Sequence, residues 1–233
     1  MMLISQLQEM QKKRSQKNSD FYTPTGIHVY FKDEVTSDVD FEVVISKVES
    51  KIPVHLLSEI EMIIVGWFDE FEERSVNAFY DSGTIYMTNL QDDIEDAFDD
   101  IIHEISHSLE EAHGYFIYGD EKVKDEFLKK RAFLHDLLWK LDFKVPKSFF
   151  GDVEYNIEFD DFLHKKIGYA KLSPIVQGLF INAYAITSLR EYFATMFTEF
   201  YLDSDHSYLK KIAPELYKKI FLLQDSNNLD NEY

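Results

Sequence analysis

"DIIHEISHSLEEAHGY", residues 100–115, carries three histidines and three glutamates, and its period sets the fold class. Ile101, Ile102, Ile105 and Leu109 recur at helical spacing beside the histidines, the one-sided apolar stripe of a helix packed on a core. Upstream, Asp92, Asp93, Glu95 and Asp96 put negative charge where a helix dipole favours it. A helix is therefore predicted from about Asp92 to about Ala112, with Gly114 placed to end it. His103 and His107 lie four apart, on one face, where both imidazoles can meet one ion. Glu104 flanks them, completing the pattern HExxH. Neutral imidazole binds zinc well, and a carboxylate that is not a ligand can take a proton from water acidified by the ion. Asp99 or Asp100 is a candidate outer partner of an imidazole.

Outward from this helix the pattern differs on its two sides. Before it, "GIHVYF" (26–31) and "FEVVISKV" (41–48) alternate β-branched and aromatic residues, which predicts strands. "PVHLLSEIE" opens on Pro53, suited to a first helical position, and "MIIVGWF" (62–68) reads as a buried strand. "NAFYDSGTIYMTN" (77–89) predicts a hairpin turning at Asp81, Ser82 and Gly83. After about residue 120 every apolar segment has helical spacing, in "EKVKDEFLKKRAFLHDLLWKL", "IEFDDFLHKKI", "SPIVQGLFINAYA", "SLREYFATMFTEFYL" and "APELYKKIFLLQ". The expected class is α+β: a small mixed sheet in the N-terminal half, and the histidine helix packed against a helical C-terminal half. One domain is expected over 21–225, with lobes 21–114 and 115–225. A polar arm or helix precedes it (1–20) and a frayed tail follows (226–233).

Composition narrows the function. The 233 residues suffice for one sizeable core, and 45% hydrophobic with 15% aromatic residues is a globular make-up. A formal charge of −19 repels nucleic acid and anionic membranes. With no cysteine, histidine and carboxylate are the strong metal ligands left. The longest apolar run, "IEMIIVGWF" (60–68), is about half a membrane span, and the first twenty residues lack the apolar core of a signal peptide. A cytoplasmic protein is expected.

A zinc centre needs a third ligand, and two completions compete. His113 stands ten residues after His103, the spacing of HExxHxxGxxH, but Glu110 occupies the glycine position. If the helix continues, His113 is turned roughly 240° from His107. The distant candidate is Glu191 in "SLREYFATMFTEF" (188–200), where Ser188 suits an N-cap and Leu189, Tyr192, Phe193, Met196, Phe197 and Phe200 form the buried side. A carboxylate beside such a face normally seeks solvent, and a metal would supply its countercharge.

HExxH followed by "NAYAITSLREYFATMF" (182–197) and "YLKKIAPELYKKI" (208–220) resembles the catalytic domain of anthrax toxin lethal factor and the related bacterial Pro-Pro endopeptidases, which are gluzincins. The resemblance covers roughly residues 22–223. It implies a zincin-like fold and a zinc-dependent endopeptidase with one Zn²⁺ held by His103, His107 and Glu191. It further implies Glu104 as the base and Tyr184, seven residues before Glu191, as a hydroxyl donor to the reacting carbonyl. Peptide or protein would be the substrate, laid as an added strand along "GTIYMTN", with Thr84, Ile85, Tyr86 and Met87 as its contacts. Thr195 stands where toxins of that family often have a second glutamate. The alternative from another class is a non-catalytic zinc-binding interaction or regulatory module of the same fold. A phage- or mobile-element-encoded maturation or host-modifying protease is a further setting for the same chemistry.

Overall fold

The computed structural model describes residues 19–35, 38–74, 76–203 and 205–229. Except for Ser19 and Asp20, the expected N-terminal arm lies outside these residues, as does the end of the expected tail, 230–233. The chain forms an α+β structure of two compact units, residues 1–108 and 109–233, dividing within the long histidine helix Ile94–Tyr118.

The first unit is built on a five-stranded mixed sheet of order β1-β2-β3-β5-β4. Its strands are β1 (Phe21–Tyr22), β2 (His28–Phe31), β3 (Met62–Val65), β4 (Ala78–Asp81) and β5 (Thr84–Met87). β2 and β3 pair in parallel with Val29 opposite Ile63, as do β3 and β5 with Ile63 opposite Ile85, whereas β4 and β5 form an antiparallel hairpin. Val29, Ile63, Val65, Ile85 and Met87 are buried, so one residue in two along each central strand enters the core. The hairpin turns on Ser82 and Gly83, both with positive φ (47° and 85°), the conformation that two-residue hairpin turns demand.

Two expectations fail in this unit. Residues 41–48 are not a strand but the start of a helix, Phe41–Lys51. Its buried residues Phe41, Val44, Ile45 and Val48 recur at i, i+3, i+4 and i+7, a helical stripe. Asp40 accepts hydrogen bonds from the Glu42 and Val43 amides, so the N-cap decides the conformation against the β-branched content. The second correction concerns Thr84, Ile85, Tyr86 and Met87. They lie on β5, which is hydrogen-bonded to β3 on one side and β4 on the other. A peptide cannot be added along β5, because both of its backbone edges are already in the sheet; the edge strand on this side is β4.

The second unit is helical. Its principal helices are Lys122–Lys140, Ile157–Asp161 (continued by a π turn over Phe162–Ile167), Tyr169–Val176, the glutamate helix Leu189–Leu202, Ser207–Ile212 and Pro214–Leu223. The helix predicted through 173–185 stops at Val176. Gly178, at φ 82°, leaves the helical region, and a separate 3-10 turn, Tyr184–Ile186, precedes the glutamate helix. Residues 226–228 form a 3-10 turn under an Asp225 cap. Among the described residues, no helix is long and apolar enough to cross a membrane.

Candidate metal centre

The histidine helix starts within the acidic run, as expected, and one of these residues caps it: the Asp93 carboxylate accepts the amides of Glu95 (2.7 Å) and Asp96 (3.0 Å). Ala97, Phe98, Ile101, Ile102, Ile105 and Leu109 are buried. Packing this stripe fixes the helix's rotation, and with it the side on which the imidazoles emerge. Ser106 and Ser108, fully buried, donate back to the carbonyls of His103 (2.6 Å) and Ile105 (2.7 Å), which satisfies hydroxyls that the core would otherwise penalise. The rings of His103 and His107 stand edge to face with centroids 5.1 Å apart. Glu104 is buried and both histidines are half-buried.

Two aspartates lie one turn before the first histidine. Burial raises the Asp100 carboxyl to about 6, against a hydrogen bond from Gln91 (3.1 Å). Burial also raises Asp99, with the neighbouring His103 opposing. The regular helix breaks at His113, whose φ/ψ of −124°/19° is non-helical, so its first segment ends about where Ala112 and Gly114 predict; a second helical segment follows across this kink to Tyr118.

The glutamate helix is set by its first turn. Ser188 is the N-cap, and its hydroxyl accepts the Glu191 amide at 3.1 Å. The Leu189 amide is taken by the Val153 carbonyl at 2.8 Å. Tyr192, Phe193, Met196 and Phe197 are buried as expected, whereas Phe200 is half-buried. Tyr184 opens the 3-10 turn before the cap and is half-buried; its carbonyl accepts both the amide and the hydroxyl of Thr187. Thr195 is buried.

His103, His107 and Glu191 each offer one ligand atom, and these atoms lie within 4.8 Å of one another. Such a group can hold a metal ion. Donors on a tetrahedral zinc sit roughly 3.4 Å apart, given metal–ligand distances of about 2.0–2.1 Å, and a spread within 4.8 Å is of that order. Two imidazoles and a carboxylate suit zinc by donor chemistry. His113 is not in the group, as its turn away from His107 along the helix requires.

Sequence reasoning missed two polar clusters. The Tyr155 and Tyr169 hydroxyls donate to the two oxygens of Asp160, at 2.9 and 3.0 Å. Partial burial and the Asp160 carboxylate push the Tyr155 phenol up to about 12, and Tyr169 is raised for the same reasons, with the Glu191 charge contributing to both. Glu110 accepts from Arg190 Nε at 3.0 Å and from the Tyr118 hydroxyl at 2.5 Å. No periodic pattern announces either cluster: Tyr155, Asp160 and Tyr169 are spaced by five and nine residues, and Arg190 reaches Glu110 from 80 residues away. In comparisons with known proteins the chain matches no family model, no curated protein and no solved structure.

Proposed function

We propose that this chain is a zinc-dependent endopeptidase with a zincin-like active site. The observation that carries the reading is the convergence of His103, His107 and Glu191, with a buried Glu104 next to His103 on the same helix that the metal does not need as a ligand. Three protein donors leave a fourth position open, the arrangement of catalytic rather than structural zinc. Bound there, zinc supplies Lewis acidity that polarises the scissile carbonyl and acidifies the attacking water. Glu104 takes the proton of that water and hands it to the leaving amine. The Tyr184 hydroxyl donates to the oxyanion that develops on the carbonyl. The resemblance to the lethal factor and Pro-Pro endopeptidase catalytic domains supports the Tyr184 assignment, and the seven-residue spacing to Glu191 in the sequence underlies it. Peptide or protein is the substrate class, and the charge of −19 favours basic segments.

Metal analysis combined with a peptide-library digest tests this reading. Wild type and His113→Ala should hold zinc, and Glu191→Ala should lose it. Glu104→Gln should keep the metal while turnover falls about 10²–10⁴-fold, and Tyr184→Phe should lower the rate about 10²–10³-fold with zinc content unchanged. Undiminished cleavage by Glu104→Gln, or zinc retained without Glu191, defeats the assignment. Zinc binding with no cleavage across a broad library assigns the chain to a non-catalytic module instead.

A further inference from the structure

The last turns of the histidine helix and the first turn of the glutamate helix are cross-linked by three side chains. Glu110 lies three residues past His107, on nearly the same helical face, and its side chain is 8% exposed. Both of its carboxylate oxygens are engaged: one accepts from Arg190 Nε at 3.0 Å, the other from the Tyr118 hydroxyl at 2.5 Å. Arg190 immediately precedes Glu191. The Tyr118 ring stands edge-on to Phe193, two residues after Glu191, at 6.3 Å. Residues on either side of Glu191 are thus tied to Glu110, one turn past His107, and to Tyr118, eight residues further on across the kink at His113.

We infer that Glu110, Arg190 and Tyr118 form a positioning clamp that sets where Glu191 stands relative to His107; this rests on the zinc reading above. The energetic signature separates it from an ordinary surface ion pair. The Arg190 side chain is 59% exposed, so solvent screens that end of the pair and holds its contribution to stability down, while the Tyr118 hydroxyl still serves the buried Glu110 carboxylate. Supports of metal ligands behave differently, because a ligand displaced by a fraction of an ångström weakens every metal bond while the fold barely changes; losing such a support costs about 10–100-fold in metal affinity. Burial and the Glu110 charge keep the Tyr118 phenol protonated well beyond its ordinary range, so its hydrogen bond to Glu110 persists at any pH at which the protein works.

Zinc affinity is measured by competition with a chromophoric chelator on the full chain, alongside thermal melts of the metal-free protein, for wild type, Arg190→Met, Glu110→Gln and the double variant. The clamp requires each single variant to bind zinc about 10–100-fold more weakly, with the metal-free melting temperature moving by less than about 3 °C. It also requires the double variant to bind no worse than the weaker single, since both remove one interaction. Unchanged zinc affinity in Arg190→Met, or additive losses in the double variant, overturns the clamp. Glu191→Ala separates the two readings. If that variant loses zinc while Arg190→Met does not, the clamp alone fails; if wild type binds no zinc, both fail together.

Discussion

On the histidine helix, one turn of regular backbone puts His103 beside His107, with ring centroids 5.1 Å apart, and the buried apolar stripe of the same segment leaves both histidines on one half-buried face. Glu191 has no such local guarantee. Its position depends on the Ser188 cap, on a carbonyl from a loop 36 residues upstream of Leu189, and on the ion pair of its neighbour Arg190 with Glu110. On the proposed zinc reading, two candidate ligands are therefore placed by helix periodicity and the third by tertiary structure. The difference teaches where the site is vulnerable: damage far from the histidines should leave their pairing intact and still cost the metal.

The hardest test removes the support farthest from the chemistry. Arg131 is 1% exposed, lies over the Phe159 ring at 4.4 Å, and donates to the carbonyls of Phe149 and of Asp152, the latter at 2.5 Å. The next carbonyl, that of Val153, receives the Leu189 amide at the head of the glutamate helix. Arg131→Met takes a buried guanidinium from its ring packing and leaves two part-buried carbonyls without their donor, and about 3 kcal/mol of stability should be lost, measured by urea unfolding of the metal-free chain. Zinc affinity should fall as well. A loss below about 1 kcal/mol would show that the loop is held by other means.

The two helix caps offer a finer contrast. Ser188→Ala and Asp93→Ala each delete a side-chain acceptor at a helix start, and each should cost about 1 kcal/mol. Only the first should weaken zinc binding, because it loosens the turn that carries Glu191. Asp93 lies ten residues before His103, and regular helix intervenes. Equal losses of zinc affinity in the two variants would erase the distinction between locally and tertiarily placed ligands.

That distinction also explains what the sequence disclosed. HExxH, the apolar stripe, the acidic first turn that includes Asp93, the Ser188 cap and the hairpin around Asp81–Gly83 are short-range patterns, and all were legible. The helix at 41–51 was not, because Val43, Val44, Ile45 and Val48 are strand-formers by type and only the i, i+3, i+4 and i+7 burial with the Asp40 cap reveals the helical period. β5 was mistaken for an edge because its parallel partner β3 is supplied by residues some twenty positions upstream, which a hairpin signal does not report. The break at His113 falls where Gly114 was expected to end the helix; what was not legible is the second helical segment that follows the kink to Tyr118. Arg131 looked like one cation among many on an amphipathic helix; that its charge is sealed among Phe127, Phe150 and Phe159 depends on loops brought in from elsewhere.

The smallest effect probes the buried side of the glutamate helix. Lys130 Nζ donates to the Tyr192 hydroxyl at 2.5 Å, which donates in turn to Glu126 at 2.9 Å. Glu126 also accepts the Glu215 amide at the start of helix Pro214–Leu223. Burial drives the Lys130 amine down to about 8, with the Glu126 charge opposing. Below pH 8 the amine is charged in both the folded and unfolded chain, and the fold bears the full cost of burying that charge. Between pH 8 and about 10.5 the folded chain has released the proton while the unfolded chain still holds it, so stability rises with pH. The stability of wild type relative to Lys130→Met should therefore increase by about 1 kcal/mol per pH unit from pH 8 to 10, in urea unfolding of the metal-free chains. Tyr192 does not interfere, since burial and Glu126 raise its phenol far above this window. A difference that stays flat would mean that Lys130 reaches solvent, and that the glutamate helix is held on this side by its aromatic packing alone.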